Sequence, residues 1–166
     1  MWENTVVYCR NGHRVRWIPE HYFTSMNPGR MRDAITRHEI EELVRLGYCT
    51  KCGAESIPAC ESCEAALGNP NERPSYCGLC GKPFPWTAIA LAEAKEYTDG
   101  LDTLTNEDKE TLKESLANLT ADTSRTPLAA IRFKKMMVKV GPVAGDTLVK
   151  IITGVLTDAA KKLIGL

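Results

Sequence analysis

Three short strings decide the fold of this 166-residue chain: Cys49-Thr-Lys-Cys-Gly53, Cys60-Glu-Ser-Cys63, and the longer run from Tyr76 to Thr87, which reads YCGLCGKPFPWT. Each contains a Cys-x2-Cys pair, the spacing at which a tight turn points two thiolates the same way and supplies half of a tetrahedral zinc shell. Gly53 and Gly81 follow the second cysteine of their pairs, where a residue without a Cβ atom accepts a left-handed backbone. Three such pairs within 32 residues predict metal binding.

The cysteine count leads back to the N-terminus for the remaining ligands. The chain has seven cysteines and its N-terminus does not resemble a secretion signal, so we expect a reducing, cytoplasmic setting in which paired cysteines bind zinc and do not form disulfides. Cys9 and His13 flank Asn11-Gly12, a dipeptide typical of hairpin turns, between two β-prone runs. Together with the three pairs they make eight ligands, enough for two closed, structural Zn²⁺ sites.

The four ligand pairs can be combined in three ways. A cross-braced arrangement joins the first pair to the third and the second to the fourth, and a nested one joins the two inner pairs and the two outer pairs. We favour the sequential grouping, because it closes the shorter loops between hairpins. It assigns Cys9, His13, Cys49 and Cys52 to site 1. Site 2 then consists of Cys60, Cys63, Cys77 and Cys80.

The patterning indicates an α+β protein, with small β-hairpin zinc ribbons in the N-terminal half and an α-helical C-terminal part. We expect a double zinc-ribbon domain over residues 1–86, with a helical insertion near 33–46, and a helical region over 87–166. Thr87 is a candidate N-cap for a helix running from residue 88 to about 97. Phe84 and Trp86 are expected to pack against the ribbon; an exposed aromatic platform for nucleic-acid bases is the alternative.

Three further helices are predicted beyond residue 99. Thr105 and Asp108 resemble a capping box that starts a helix over 106–119. Thr126 is a candidate N-cap before an N1 proline, starting a helix over 127–140. Gly141-Pro142 ends that helix and begins a last amphipathic one, over about 142–166. Its apolar stripe recurs at spacings of three and four residues and consists of Leu148, Ile152, Val155, Ala159 and Leu163.

The charges balance overall but are segregated along the chain. There are 21 basic and 21 acidic residues, so no global charge argues for a nucleic-acid partner. Residues 99–124 carry seven acids and two lysines, a net charge of −5, and residues 125–166 carry eight bases and two acids, a net charge of +6. Such segments would attract each other within one helical bundle. No stretch is apolar for long enough to predict a membrane span.

The order of the motifs resembles a known family. Cys-x-Asn-Gly-His at residues 9–13, the first two cysteine pairs and the Tyr76–Thr87 string are similar to a family of uncharacterised bacterial proteins catalogued as domain of unknown function 2321. The resemblance extends to Arg132-Phe133-Lys134-Lys135 and covers nearly the whole chain. It implies paired zinc ribbons followed by helices, and it brings no assigned activity.

These features favour binding over catalysis. Zinc sites saturated by protein ligands leave no coordination position for water or substrate. Only His21 and His38 remain as imidazoles, and we interpret both as structural or solvated, so no small-molecule substrate is evident. We therefore expect a non-enzymatic zinc-binding adaptor or interaction protein, whose ribbons form a scaffold and whose C-terminal amphipathic helices engage a protein partner or another copy.

Three alternatives remain open for the C-terminal helices and the first hairpin. The apolar stripe would serve as the core of an intrachain bundle instead of an interface. Residues 125–166 combine positive charge with an amphipathic pattern, as in helices that lie on membrane surfaces. Arg10, Arg14 and Arg16 form a candidate nucleic-acid patch, although residues 1–80 carry nine bases and ten acids, and phosphate binding needs a basic face.

Overall fold

The computed structural model describes residues 5–18, 47–67 and 73–166 of the chain. The chain divides into two compact units, which we call the ribbon unit (1–85) and the helical unit (86–166). An α+β fold is confirmed, with a small sheet in the ribbon unit and helices in the other. The predicted helical insertion near 33–46, together with His21 and His38, lies outside the described residues.

The ribbon unit is built on a three-stranded antiparallel sheet in the order β2-β1-β3. Strands β1 (Thr5–Cys9) and β2 (Arg14–Ile18) form the predicted hairpin, and β3 (Ser56–Ile57) pairs with the end of β1. Val6 and Val7 are fully buried, as befits a strand with a neighbour on each edge. Because Cys9 lies opposite Ser56, the sheet brings the first ligand close to the segment that carries the next pair.

The helical unit contains five helices among its described residues: α1 (Pro85–Asp99), α2 (Asn106–Leu119), α3 (Thr126–Val140), α4 (Pro142–Ile152) and α5 (Asp158–Ile164). Helix α3 is central, because it packs against α2, α4 and α5. The buried side chains are mostly apolar, and they include Leu112, Leu116, Leu119, Phe133, Met136, Leu148 and Ile152. None of the described helices combines the length and hydropathy needed to span a bilayer.

The acidic and basic segments pair across α2 and α3. Lys139 on α3 donates to both carboxylate oxygens of Asp108 on α2 at 2.7 Å. Arg132 lies 3.4 Å from Glu114 in a second ion pair between the same helices. The predicted attraction between these segments is therefore realised within one bundle.

The helix starts differ in how well local sequence predicts them. The α2 start is confirmed, since Thr105 accepts a hydrogen bond from the Asp108 amide at 3.2 Å. The Thr87 cap was wrong: α1 begins at Pro85, whose fixed φ suits a first turn, and Thr87 lies fully buried inside the helix. The Thr126 cap was also wrong, because Thr126 is itself helical and its hydroxyl donates to the Ala121 carbonyl at 2.8 Å.

The predicted last helix over 142–166 is two helices. Helix α4 ends at Ile152, and Thr157 caps α5 by accepting from the Ala160 amide at 3.1 Å. The turn between them is anchored from outside, because the Thr157 amide donates to the Leu119 carbonyl at the end of α2. The predicted apolar stripe is interrupted accordingly. Val155 is still buried, but in α5 the buried residue is Ala160 and not the predicted Ala159, and Leu163 is 42% exposed.

Phe84 and Trp86 are each only 3% exposed. Burial on this scale leaves no ring face accessible to a nucleic-acid base, so the alternative of an exposed aromatic platform was wrong.

Candidate metal centres

The first centre begins in the hairpin turn. Gly12 adopts a φ of +75°, and its amide donates to the Cys9 carbonyl at 2.7 Å, while the Cys9 amide donates to the His13 carbonyl at 2.9 Å. The turn holds Cys9 Sγ and His13 Nδ1 3.7 Å apart. The predicted Asn11-Gly12 hairpin is thus the local device that sets two donor atoms side by side.

The three Cys-x2-Cys turns share one backbone pattern, which we call the knuckle. In each, the amide of the first cysteine donates to the carbonyl five residues later, and the residue four positions on donates back to its carbonyl, at distances of 2.8–2.9 Å. A β-bridge flanks each knuckle, pairing Tyr48 with Glu55, Ala59 with Ala66, and Tyr76 with Pro83. One short motif therefore folds the same way at three places in the chain.

The residue after the second cysteine takes the left-handed conformation in every knuckle. Gly53 and Gly81 have φ values of +70° and +69°, and Glu64 occupies the equivalent position with a φ of +58°. A non-glycine residue there costs roughly 1 to 2 kcal/mol. The knuckle around Cys60 accepts this cost and keeps the backbone hydrogen bonds of the other two.

The structure brings the eight predicted donors together in the sequential grouping. Cys9, His13, Cys49 and Cys52 form one cluster and Cys60, Cys63, Cys77 and Cys80 the other, with all donor atoms of a cluster within 4.8 Å of one another. Across the first cluster, Cys9 Sγ lies 3.7 Å from Cys52 Sγ, and His13 Nδ1 lies 3.8 Å from Cys49 Sγ. Across the second, the Cys60–Cys80 and Cys63–Cys77 sulfurs are 3.7 and 3.6 Å apart.

These distances fit a tetrahedral ion. Zn–S bonds of about 2.3 Å at tetrahedral angles hold two sulfurs about 3.8 Å apart. The donor sets, three thiols with one imidazole and four thiols, are those of closed structural zinc sites. Both clusters are therefore compatible with a structural metal ion, which would be held entirely by side chains of this chain.

The electrostatics of the second cluster favour a bound cation. Amides of Cys80 and Leu79 donate to the Cys77 sulfur and lower its pKa to about 6. A hydrogen bond from the Ala65 amide favours the Cys63 thiolate, but burial and the three neighbouring sulfurs outweigh it and raise the pKa of Cys63 to about 12. Four sulfurs at contact distance cannot all ionise without a compensating charge, and a divalent cation supplies that charge.

The first cluster shows the same conflict. Burial opposes ionisation of Cys49, yet the amides of Lys51 and Cys52 donate to its sulfur and bring its pKa below the ordinary value. Burial raises the pKa of Cys9, although the backbone of His13 and Asn11 partly offsets it. The Cys49 thiol therefore ionises more readily than an ordinary thiol, and a cation beside Cys9 would favour its thiolate as well.

Three further side chains support the clusters, and sequence reasoning gave them no such role. Asn11 donates to Cys52 Sγ at 3.5 Å, and Arg73 donates to the Gly12 carbonyl at 3.4 Å. Arg10 forms ion pairs with Glu55, at 3.1 Å, and with Glu61 inside the next knuckle, so it ties the two clusters together. The place of Asn11 between two ligands was a usable signal; nothing in the sequence marks Arg73.

Comparison with protein families places the chain. The family model described as an uncharacterized protein conserved in bacteria, domain of unknown function 2321, matches residues 3–164. The chain belongs to this family. The match includes all eight donors and all five described helices, so the resemblance carried by the cysteine motifs is confirmed. Neither the curated proteins nor the solved structures contain a match to the chain.

Proposed function

We propose that this family member is a non-enzymatic zinc-binding adaptor. The two metal centres would hold the ribbon unit as a scaffold, and the helical unit would engage a protein partner or another copy of the chain. The observation that carries the proposal is an exposed apolar groove between α3 and α4 in the helical unit.

The donor sets support binding in preference to catalysis. Each cluster supplies four protein donors, which fill a tetrahedral shell and leave no position at which a substrate or an activated water would bind. The free energy of metal binding would then stabilise the folded ribbon unit, as in small structural zinc domains.

The groove in the helical unit is a surface suited to a partner. It has a volume of about 410 Å³, and its walls include Met137, Val138, Gly145, Val149 and Ile164. Val138, which lines the groove from α3, is 84% exposed. A large apolar side chain this exposed on a concave apolar surface is typical of an interaction site.

A photo-crosslinking amino acid at position 138 tests this function in cells. We expect a discrete crosslinked species, because Val138 would lie against the partner. The matched control is the same amino acid at Ile131, which is 66% exposed on the same helix and does not line the groove. Absence of any adduct at position 138, or equal adducts at both positions, would contradict the adaptor function.

A membrane surface is the second candidate, favoured by one observation. Lys134 lines the groove beside Val138, and within the described part of the chain it forms no ion pair, so positive charge and exposed apolar area coincide. Anionic membranes attract such surfaces. Co-sedimentation of the full chain with phosphatidylserine vesicles, lost in Val138→Asp, is the expected result; recovery of the wild type in the supernatant would remove this candidate.

The candidate nucleic-acid patch receives no such support. Arg10 is engaged by two carboxylates, Glu55 and Glu61, which neutralise its charge at the first hairpin. The side chain of Arg16 lies outside the described residues.

A further inference from the structure

The charged residues of the α3/α4 groove are arranged in a particular way. Lys134 lies on the α3 side and Asp146 on the α4 side, and both line the apolar groove. Both are exposed, and among the described residues neither takes part in an ion pair or a side-chain hydrogen bond. Elsewhere in the unit, Arg132, Lys139 and Asp108 find partners within the chain. The groove thus carries two opposite charges, one on each wall, without mutual neutralisation.

The groove floor is also shaped by a glycine that intrachain packing does not require. Gly145 is buried within α4, where glycine costs about 1 kcal/mol relative to alanine. A Cβ atom at this position would meet Met137 Sδ at 3.5 Å, an ordinary contact. The missing methyl group deepens the floor of the groove, which indicates that something other than this chain's own core uses the space.

A two-fold axis over the groove would satisfy all of these features at once. In an isologous interface, the contact from residue i to residue j is repeated from j to i. Lys134 of one copy would then face Asp146 of the second copy, and the reverse pair would form on the other side. The protruding Val138 of each copy would cover the apolar floor of the other, where Gly145 leaves room.

We infer that the α3/α4 groove is a two-fold interface between two copies of this chain, held in register by reciprocal Lys134–Asp146 pairs. This inference rests on the proposed function and specifies the occupant of the groove. An unrelated partner would need to supply a matching pair of charges, whereas a second copy already carries both.

A charge-swap experiment on the purified, metal-loaded full chain tests the inference. Sedimentation velocity over a concentration series should show a dimer for the wild type. In a dimer of Lys134→Glu, each of the two reciprocal contacts would join two acids. In a dimer of Asp146→Lys, each would join two bases. Since like charges face each other in either variant, each should weaken dimerisation by at least about tenfold. The double variant Lys134→Glu/Asp146→Lys restores opposite charges and should dimerise like the wild type.

The matched control is Lys95→Glu, which reverses the charge of an exposed lysine on α1, a helix that contributes no residue to the groove, and it should leave the dimer unchanged. Circular dichroism of every variant verifies that the helices are folded. A wild type that remains monomeric, single variants that dimerise normally, or a folded double variant that stays monomeric would each overturn the inference.

The outcome is separable from that of the adaptor proposal. A monomeric wild type whose position 138 still crosslinks to a different protein would leave the adaptor function standing and remove the two-fold interface. A crosslinked species with the mass of two copies would support both.

Discussion

The two units of this protein fold for different reasons. In the ribbon unit, β3 has two residues and the knuckles are irregular loops. Four of its buried side chains are cysteines of the two clusters, Cys9, Cys49, Cys60 and Cys77. In the helical unit, helices of up to 15 residues bury leucines completely around α3. The comparison teaches that one chain can combine a part whose clustered donors are compatible with a structural metal ion and a part held together by apolar burial.

The difference follows from the lengths of the elements. A structural zinc ion contributes on the order of 10 kcal/mol of apparent folding energy at neutral pH, which compensates for the small amount of apolar surface that short strands bury. A helix of 14 residues such as α2 instead presents a row of side chains to its neighbours. In α2 the side chains of Leu112, Leu116 and Leu119 are completely buried. Each buried leucine stabilises the folded state by about 1.5 to 3 kcal/mol.

Metal removal should produce the largest difference in stability between the two units. We expect a zinc chelator to unfold the ribbon unit, with a loss on the order of 10 kcal/mol per ion, while the helical unit keeps its structure. Far-ultraviolet circular dichroism should retain most of its helical signal, and amide exchange should become fast at Val6 and Val7. If the helices melt together with the ribbon, or if chelation leaves these strand amides protected, the two units do not fold for separate reasons.

Loss of one cysteine should abolish one metal site of the ribbon unit and leave the other in place. Cys77→Ser removes a donor from the second cluster only, so metal content should fall from two ions to one. The control is Leu79→Ser in the same knuckle, which changes a side chain that is 76% exposed and leaves all donors in place. Metal analysis by mass spectrometry under native conditions measures both. Two ions retained by Cys77→Ser would show that this sulfur is not a ligand.

A cavity in the helical core should leave the metal centres untouched. Leu116→Ala removes a fully buried side chain, and we expect the free energy of unfolding of the helical unit to fall by about 2 to 5 kcal/mol. Ile131→Ala, at an exposed position on α3, should change it by no more than about 0.5 kcal/mol. Metal content should stay at two ions in both variants; a loss of metal in Leu116→Ala would break the separation of the units.

The smallest effect should be a pH dependence confined to the helical unit. The Lys139 ammonium hydrogen-bonded to Asp108 holds the pKa of that carboxyl below its usual range. This contribution is therefore present above the unfolded pKa of about 3.9 and is lost as the pH falls through the lower folded value. Denaturation followed by helical circular dichroism should show Asp108→Asn less stable than the wild type near neutrality, with the difference vanishing in acid. A difference independent of pH would exclude the ion pair as its source.

Local sequence predicted the elements whose signals lie within a few residues. The hairpin at Asn11-Gly12, the α2 helix from Thr105 onward and the knuckles all depend on contacts between near neighbours. The errors arose where a contact outside the pattern decides. The predicted last helix breaks where the Thr157 amide donates to the distant Leu119 carbonyl, and the Thr126 hydroxyl donates to the Ala121 carbonyl instead of capping α3. For Phe84 and Trp86 the sequence is compatible with either a packed or an exposed position, and only the observed burial distinguishes the two.

The sequence by itself determined the cysteine knuckles, the Asn11-Gly12 turn and the family, because cysteine spacing and turn residues act locally and do not depend on how the rest of the chain is arranged. The tertiary structure alone decided which pairs share a centre, that Arg10 joins them through Glu61, and that the last helix stops at Ile152. The physical reason is the same in each case. These outcomes depend on which surfaces meet, as when the Leu119 carbonyl receives the Thr157 amide and fixes the turn before α5.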